Sequence, residues 1–113
     1  MKKLRIKKII LDYFKFFKKK EINKLDPLFS KNIIVHDWEN KIKGKRKVIN
    51  FNKKIFSNFK KIDIKILNLY FNKDNKAVSC QINIKLDKIY LNVIDIIYFN
   101  KDYKISKVMA YKL

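Results

Sequence analysis

The chain has 113 residues, which suits one compact domain, and its contents of 48% hydrophobic and 14% aromatic residues exclude a disordered chain. The net charge of +19 invites a nucleic-acid interface, but lysines occur in almost every segment, and arginine, which makes bidentate contacts with phosphates and bases, occurs only at Arg5 and Arg46. Composition therefore predicts one domain, residues 1–113, with a solvated basic surface and no nucleic-acid partner.

Two helices are predicted before the first strand. From Leu4 to Lys19 apolar residues recur at steps of three and four, which is typical of an amphipathic helix with a wide apolar face. Asn23 to Phe29 predicts a short second helix, although Pro27 fits only an irregular or first-turn position. Asn32 to Trp38 is rich in β-branched residues and predicts the first strand.

A polar turn with the only glycine, Gly44, follows the first strand. Lys45 to Phe59 then returns to helical spacing, with lysines opposite the apolar residues, and predicts a third helix.

The hydrophobic period changes to two in the second half of the chain. The alternation in Ile62–Phe71 slips by one residue after Ile66, which predicts a β-bulge. Val78–Leu86 alternates cleanly, whereas Tyr90–Phe99 is apolar on both faces and predicts a central strand. Lys104–Lys112 predicts the last strand. The order helix, helix, strand, helix and four antiparallel strands indicates an α+β fold with the helices on one face of the sheet.

Several classes of site are excluded by residue counts. One histidine and one cysteine leave too few ligands for zinc, and one glycine cannot build a nucleotide-binding loop, so we predict neither a metal nor a cofactor. The single Cys80 suits a reducing compartment. Asp12 and Lys15 interrupt the early apolar residues, and no run approaches the ~18 apolar residues of a membrane span. We therefore expect a cytoplasmic protein without a signal peptide or a membrane partner.

Asp95 is the one charged residue in the run Tyr90–Phe99. Strand alternation places it on the same face as Val93 and Ile97. A carboxylate buried there without a cation has a raised pKa and becomes a neutral acid that donates a hydrogen bond. The alternative is that Asp95 reaches a sheet edge and is solvated.

Four other residues allow more than one interpretation. Alone, Asp37 is a turn residue and Tyr13 is a core aromatic on the first helix. His36 faces away from Asp37 by alternation, and we interpret it as a structural or interface residue. Trp38 suits either the mouth of a pocket or a dimer contact.

Together, Tyr13, Asp37 and Asp95 match a pattern that resembles the ketosteroid isomerase and SnoaL-like branch of the NTF2-like superfamily. The stretch from Tyr13 through Leu28-Phe29 to Val35-His36-Asp37 resembles the segment between the oxyanion-hole tyrosine and the catalytic aspartate. Val93–Phe99 resembles the strand with the second oxyanion donor, and Ile42-Lys43-Gly44 resembles the turn before the third helix. The resemblance implies a cone of three N-terminal helices packed on a curved, mostly antiparallel sheet.

The resemblance also implies an activity. Asp37 would be a general base next to a carbonyl group, and Tyr13 and protonated Asp95 would donate hydrogen bonds to the enolate oxygen, as in ketosteroid isomerase itself. Phe29 and Asn52 stand where some ketosteroid isomerases have supporting tyrosines.

Beside a basic nucleic-acid binder, which the spread of lysines disfavours, two interpretations based on the resemblance remain open at this point. One is a cofactor-independent isomerase or cyclase for a small apolar carbonyl ligand, and the other is a non-catalytic NTF2-like module for ligand binding or dimerisation. In either case, the apolar outer face of Ile94, Ile96 and Tyr98 predicts a homodimer.

Overall fold

The computed structural model describes residues 1–113 and contains three helices and one six-stranded sheet. A short 3-10 turn, Asp26–Leu28, separates the second helix from the first strand. The elements are α1 (Lys3–Lys18), α2 (Ile22–Leu25), β1 (Phe29–His36), β2 (Lys41–Lys43), α3 (Lys45–Asn58), β3 (Ile62–Phe71), β4 (Ala77–Leu86), β5 (Ile89–Phe99) and β6 (Ile105–Lys112).

The strands lie in the order β2-β1-β6-β5-β4-β3. All neighbouring pairs are antiparallel except β1 and β6, which are parallel, so the sheet is mixed. Helix α1 contacts β3, and α3 contacts β1 and β2. The predicted α+β class, with helices on a curved and mostly antiparallel sheet, is confirmed.

The β-bulge predicted in β3 is present. Ile66 pairs with Ile82, but Asn68 pairs with Gln81, so Leu67 is an extra residue on β3. Such an insertion increases the local twist and bends the strand. The bend helps the sheet to curve around the helices.

The segment between α1 and β1 differs from the prediction. Instead of one helix over Asn23 to Phe29, the chain forms α2 and the 3-10 turn, and Pro27 is the second residue of that turn. A proline there loses no helical hydrogen bond, because the first N–H groups have no partner inside a helix. Strand β1 consequently begins at Phe29 instead of Asn32.

Strand β2 was not predicted. It has three residues and pairs with the end of β1, where Ile34 lies opposite Lys43 and His36 opposite Lys41. Three residues are too few to show a hydrophobic period.

The core lies between the helices and the inner face of the sheet. Ile6, Ile10 and Leu25 of the helical layer are fully buried, as are Ile33 and Ile97 of the sheet. From Val93 to Phe99 of β5 the inner residues are buried and the outer residues are half-buried, so this part of the strand alternates in exposure. No helix is both long and apolar enough to cross a membrane.

Candidate active site

A cavity of about 120 Å³ lies between α1, α3 and the inner face of the sheet. Tyr13, Asp37 and Asp95, the three predicted site residues, all line it. Twelve of its fifteen lining residues are hydrophobic, and the others are Asp37, Asn52 and Asp95. A second cavity of about 50 Å³ adjoins it and also touches Tyr13 and Asp95. An apolar chamber with few polar groups is typical of a small-molecule site.

Tyr13 reaches the cavity from the buried face of α1. Ile6, Ile10, Tyr13 and Phe14 follow helical spacing and are all buried. The ring of Tyr13 packs against Phe29 at 6.1 Å between centroids, in an edge-to-face arrangement. Burial, and then the charge of Asp95, raise the pKa of Tyr13 far above its ordinary value. Its hydroxyl group is therefore neutral at physiological pH and can donate a hydrogen bond.

Asp95 lies on the inner face of β5 and is 7% exposed. Its partners across the sheet are Cys80 on β4 and Ala110 on β6, neither of which is a cation. Burial, and then the charge of Asp37, raise the pKa of Asp95 to about 7. A large fraction of the molecules therefore carry a protonated Asp95 at neutral pH, which agrees with the expectation of a buried acid.

Asp37 is the first residue after β1 and is fixed by the turn that joins β1 to β2. Its Oδ1 accepts hydrogen bonds from the backbone N–H groups of Glu39 at 2.8 Å and Asn40 at 2.6 Å. The backbone N–H of Asp37 donates to the carbonyl oxygen of Asn40 at 2.9 Å. These bonds hold the carboxyl group beside the cavity and leave Oδ2 without a protein partner.

Asn52 is a site residue that the sequence analysis did not predict. It lies on the inward face of α3, one turn after Val48, and is 5% exposed. The only available signal was a polar residue at a position where helical spacing calls for an apolar one. The resemblance identified Asn52 only as a departure from a tyrosine.

Tyr13, Asn52 and Asp95 share an unusual property, because their side chains make no hydrogen bond with the protein. Every fully enclosed side-chain nitrogen or oxygen in the protein has a hydrogen-bond partner. The unpaired polar atoms of these three residues are therefore not fully enclosed, and they open onto the cavity that the residues line. When a ligand displaces solvent from the cavity, each of these groups that is left unpaired costs about 1–3 kcal/mol. A ligand with polar atoms at the right places would remove this cost.

Trp38 lies at the site, whereas His36 does not. Trp38 lines the cavity and is 41% exposed, so it lies at the cavity mouth, where the ammonium group of Lys112 is 5.2 Å from its ring centroid. His36 pairs with Met109 of β6 and does not line the cavity.

The largest surface recess, of about 710 Å³, lies elsewhere, at the start of α3. Six of its ten lining residues are lysine or arginine, and only Ile49 is hydrophobic. Lys45 there is paired with Asp26 at 3.0 Å. Tyr13, Asn52 and Asp95 do not line this recess, so we place the candidate site in the cavity of about 120 Å³.

Comparison with solved structures identifies the fold. No family model and no curated protein sequence matches the chain. Solved structures that superpose on it include proteins described as NTF2-like and as cystatin-like. The chain has the NTF2-like fold.

Three neighbours with this fold show the range of proteins that share it. A candidate ketosteroid isomerase from Kribbella flavida has a TM-score of 0.84 at 13% identity, with 98% of this chain and 79% of that chain covered. A SnoaL-like protein of unknown function from Burkholderia thailandensis has a TM-score of 0.86 at 7% identity, covering 99% and 97%. An LEH-like epoxide hydrolase from M. tuberculosis has a TM-score of 0.81 at 11% identity, covering 98% and 84%. Identities this low show a shared fold and leave the activity to be argued from the site.

Proposed function

We propose that the protein is a cofactor-independent isomerase that moves a proton between carbon atoms next to the carbonyl group of a small apolar compound. One observation carries this proposal: Asp37, Tyr13 and Asp95 line one apolar cavity, in which burial and the charge of Asp37 raise the pKa of Asp95 to about 7. The site therefore contains a carboxylate for proton removal and two neutral donors for a developing oxyanion.

In the proposed reaction, an oxygen of Asp37 removes a proton from the carbon next to the carbonyl group. The electron pair of the broken C–H bond forms a carbon–carbon double bond, and the carbonyl electrons move to the oxygen. Tyr13 and protonated Asp95 donate hydrogen bonds to that oxygen as its charge grows. Asp37 then returns the proton to another carbon of the conjugated system, which restores the carbonyl group. No external oxidant or reductant is needed.

The cavity limits the size of the substrate. A dry cavity of about 150 Å³ accommodates benzene, and the main cavity here has about 120 Å³. Even with the adjoining 50 Å³, the space suits a single ring with short substituents. We therefore propose a one-ring or similarly small carbonyl compound and not a four-ring steroid.

The test is hydrogen exchange, since it requires no knowledge of the final product. Small enolisable ketones, such as cyclohexanone and 2-cyclohexenone, are incubated with the protein in D₂O, and loss of the proton signals next to the carbonyl group is followed by NMR. We expect enzyme-dependent exchange that falls by about 10²-fold or more in Asp37→Asn and Tyr13→Phe, because a general base and an oxyanion donor each contribute about that much.

Asp102→Asn is the matched control, since Asp102 is exposed and lies outside the cavity. Exchange that survives Asp37→Asn would exclude Asp37 as the base. Ketone binding without any exchange would leave the non-catalytic ligand-binding module as the better account of the cavity.

A further inference from the structure

We propose that Asn52 binds a second oxygen atom of the ligand, so that the site selects small neutral carbonyl compounds that also carry a hydroxyl or a second carbonyl group. This inference rests on the proposed function, because it assigns Tyr13 and Asp95 to the first oxygen. Asn52 has no part in the proton transfer described above.

The first argument is the supply of hydrogen bonds. A carbonyl oxygen has two lone pairs, and Tyr13 and protonated Asp95 together occupy both. The amide of Asn52 offers two N–H donors and one acceptor oxygen. It makes no side-chain hydrogen bond with the protein, and its polar atoms are open to the cavity. A ligand with one oxygen leaves this buried amide unpaired, whereas a second oxygen satisfies it.

The second argument is position. Tyr13 and Asp95 line both the larger and the smaller cavity, so they lie where the two meet. Asn52 lines only the larger cavity and comes from α3, a different element from α1 and β5. The second polar contact therefore comes from a different wall of the larger cavity than the oxyanion donors.

The third argument is charge. Asp37 and Asp95 line the same cavity as Asn52, and no lysine or arginine lines it. An anionic substituent on the ligand would be repelled by the carboxylates, and a neutral amide would not compensate its charge. The second group is therefore not anionic, and a neutral hydroxyl or carbonyl oxygen fits the donors and acceptor of the amide. A site built to hydrogen-bond such a group discriminates strongly against the analogue that lacks it, because the protein group is then left unpaired.

The experiment compares phenol with resorcinol, two one-ring probes that differ by a single hydroxyl group. Dissociation constants are measured by protein NMR titration at pH 6, where Asp95 is mainly protonated. In the unaltered protein we expect resorcinol to bind about fivefold more tightly than phenol or better, the value of one hydrogen bond. In Asn52→Leu, which keeps the branched shape, the two probes should bind equally.

Asn50→Leu is the matched control, since Asn50 is exposed on the same helix and outside the cavity. It should keep the preference for resorcinol. Asn52→Ala provides a second variant if the leucine variant does not fold, and it should also remove the preference.

Equal binding of the two probes to the unaltered protein would overturn the inference, as would a preference that persists in Asn52→Leu or disappears in Asn50→Leu. Failure of both probes to bind would overturn this inference, and ketone hydrogen exchange would then decide the proposed function separately. A preference that depends on Asn52, in a protein that exchanges no ketone protons, would support the assignment of Asn52 and remove the isomerase proposal alone.

Discussion

Asp37 and Asp95 line the same cavity, and the charge of Asp37 is, after burial, the second cause that raises the pKa of Asp95. When two carboxyl groups share an apolar chamber, ionisation of both is unfavourable, because each charge is desolvated and the two charges repel each other. One of them therefore keeps its proton as the other loses it. This division is what acid–base chemistry at a carbonyl group requires.

The titration of Asp95 provides the first prediction. Carboxyl-carbon NMR should show one aspartate with a midpoint near pH 7, and Asp95→Asn should remove that signal. In Asp37→Asn the midpoint of Asp95 should fall but stay above the ordinary aspartate pKa of 3.8, because burial remains.

Asp102→Asn serves as the control for this coupling, since Asp102 is exposed, and it should leave the midpoint unchanged. A midpoint for Asp95 in the acidic range of an exposed aspartate would contradict both the burial argument and its proposed role as a donor.

The pH dependence of stability follows from the same pKa. The pKa of Asp95 in the folded state, about 7, lies above its ordinary value of 3.8. Asp95 therefore contributes its full stability to the folded state below pH 3.8, and this contribution is lost as the pH rises through 7. The loss is on the order of 4 kcal/mol. Urea unfolding should therefore show that Asp95→Asn gains stability relative to the unaltered protein between pH 4 and pH 8. A difference that is constant with pH would show that Asp95 ionises freely in the folded state.

Gly44 is the basis of a prediction on folding. It has the backbone angles φ 96° and ψ 142°, which residues with a Cβ atom rarely adopt, and it directly precedes α3. Gly44→Ala should lower the free energy of unfolding by about 1–3 kcal/mol through backbone strain alone, since nothing lies within 4 Å of the added Cβ. An alanine variant as stable as the unaltered protein in urea would show that the turn can relax without cost.

The outer face of β5 predicts a homodimer. Ile94, Ile96 and Tyr98 are half-buried there, and Ile96 pairs with Met109 of β6. Ile96→Lys should convert a dimer to a monomer in sedimentation equilibrium, because it places a cation in the apolar contact. Ile89→Lys is the control, as Ile89 is exposed at the start of β5. A monomeric unaltered protein would exclude this interface.

The basic surface leads to a prediction about nucleic acid. Many lysines are exposed on several elements, so we expect only weak, non-specific binding to duplex DNA at physiological salt, with a dissociation constant on the order of 10⁻⁴–10⁻⁶ M. Fluorescence anisotropy with a labelled duplex at several salt concentrations tests this. Nanomolar binding at physiological salt would instead indicate a nucleic-acid protein.

The sequence predicted the elements that repeat a strong local period. Helices α1 and α3, the bulge in β3 and the burial of Asp95 all follow from spacing along the chain. Strand β2 was not predicted, because three residues are too few to show a hydrophobic period. The second helix was predicted to be too long, because Pro27 changes the local backbone geometry. Asn52 could not be identified as a site residue, because its importance depends on which elements face α3 across the cavity.

The parallel pairing of β1 and β6 has a consequence for the order of events during synthesis. Asp37 follows β1, early in the chain, but Val108 and Ala110 on β6 complete the wall of the same chamber. Strand β6 also separates β1 from β5, so Asp37 and Asp95 acquire their relative positions only when β6 is inserted between the two strands. Non-local pairing of this kind forms slowly. A nascent chain still on the ribosome without β6 therefore has both carboxyl groups but no shared chamber, and any activity must begin after that last insertion.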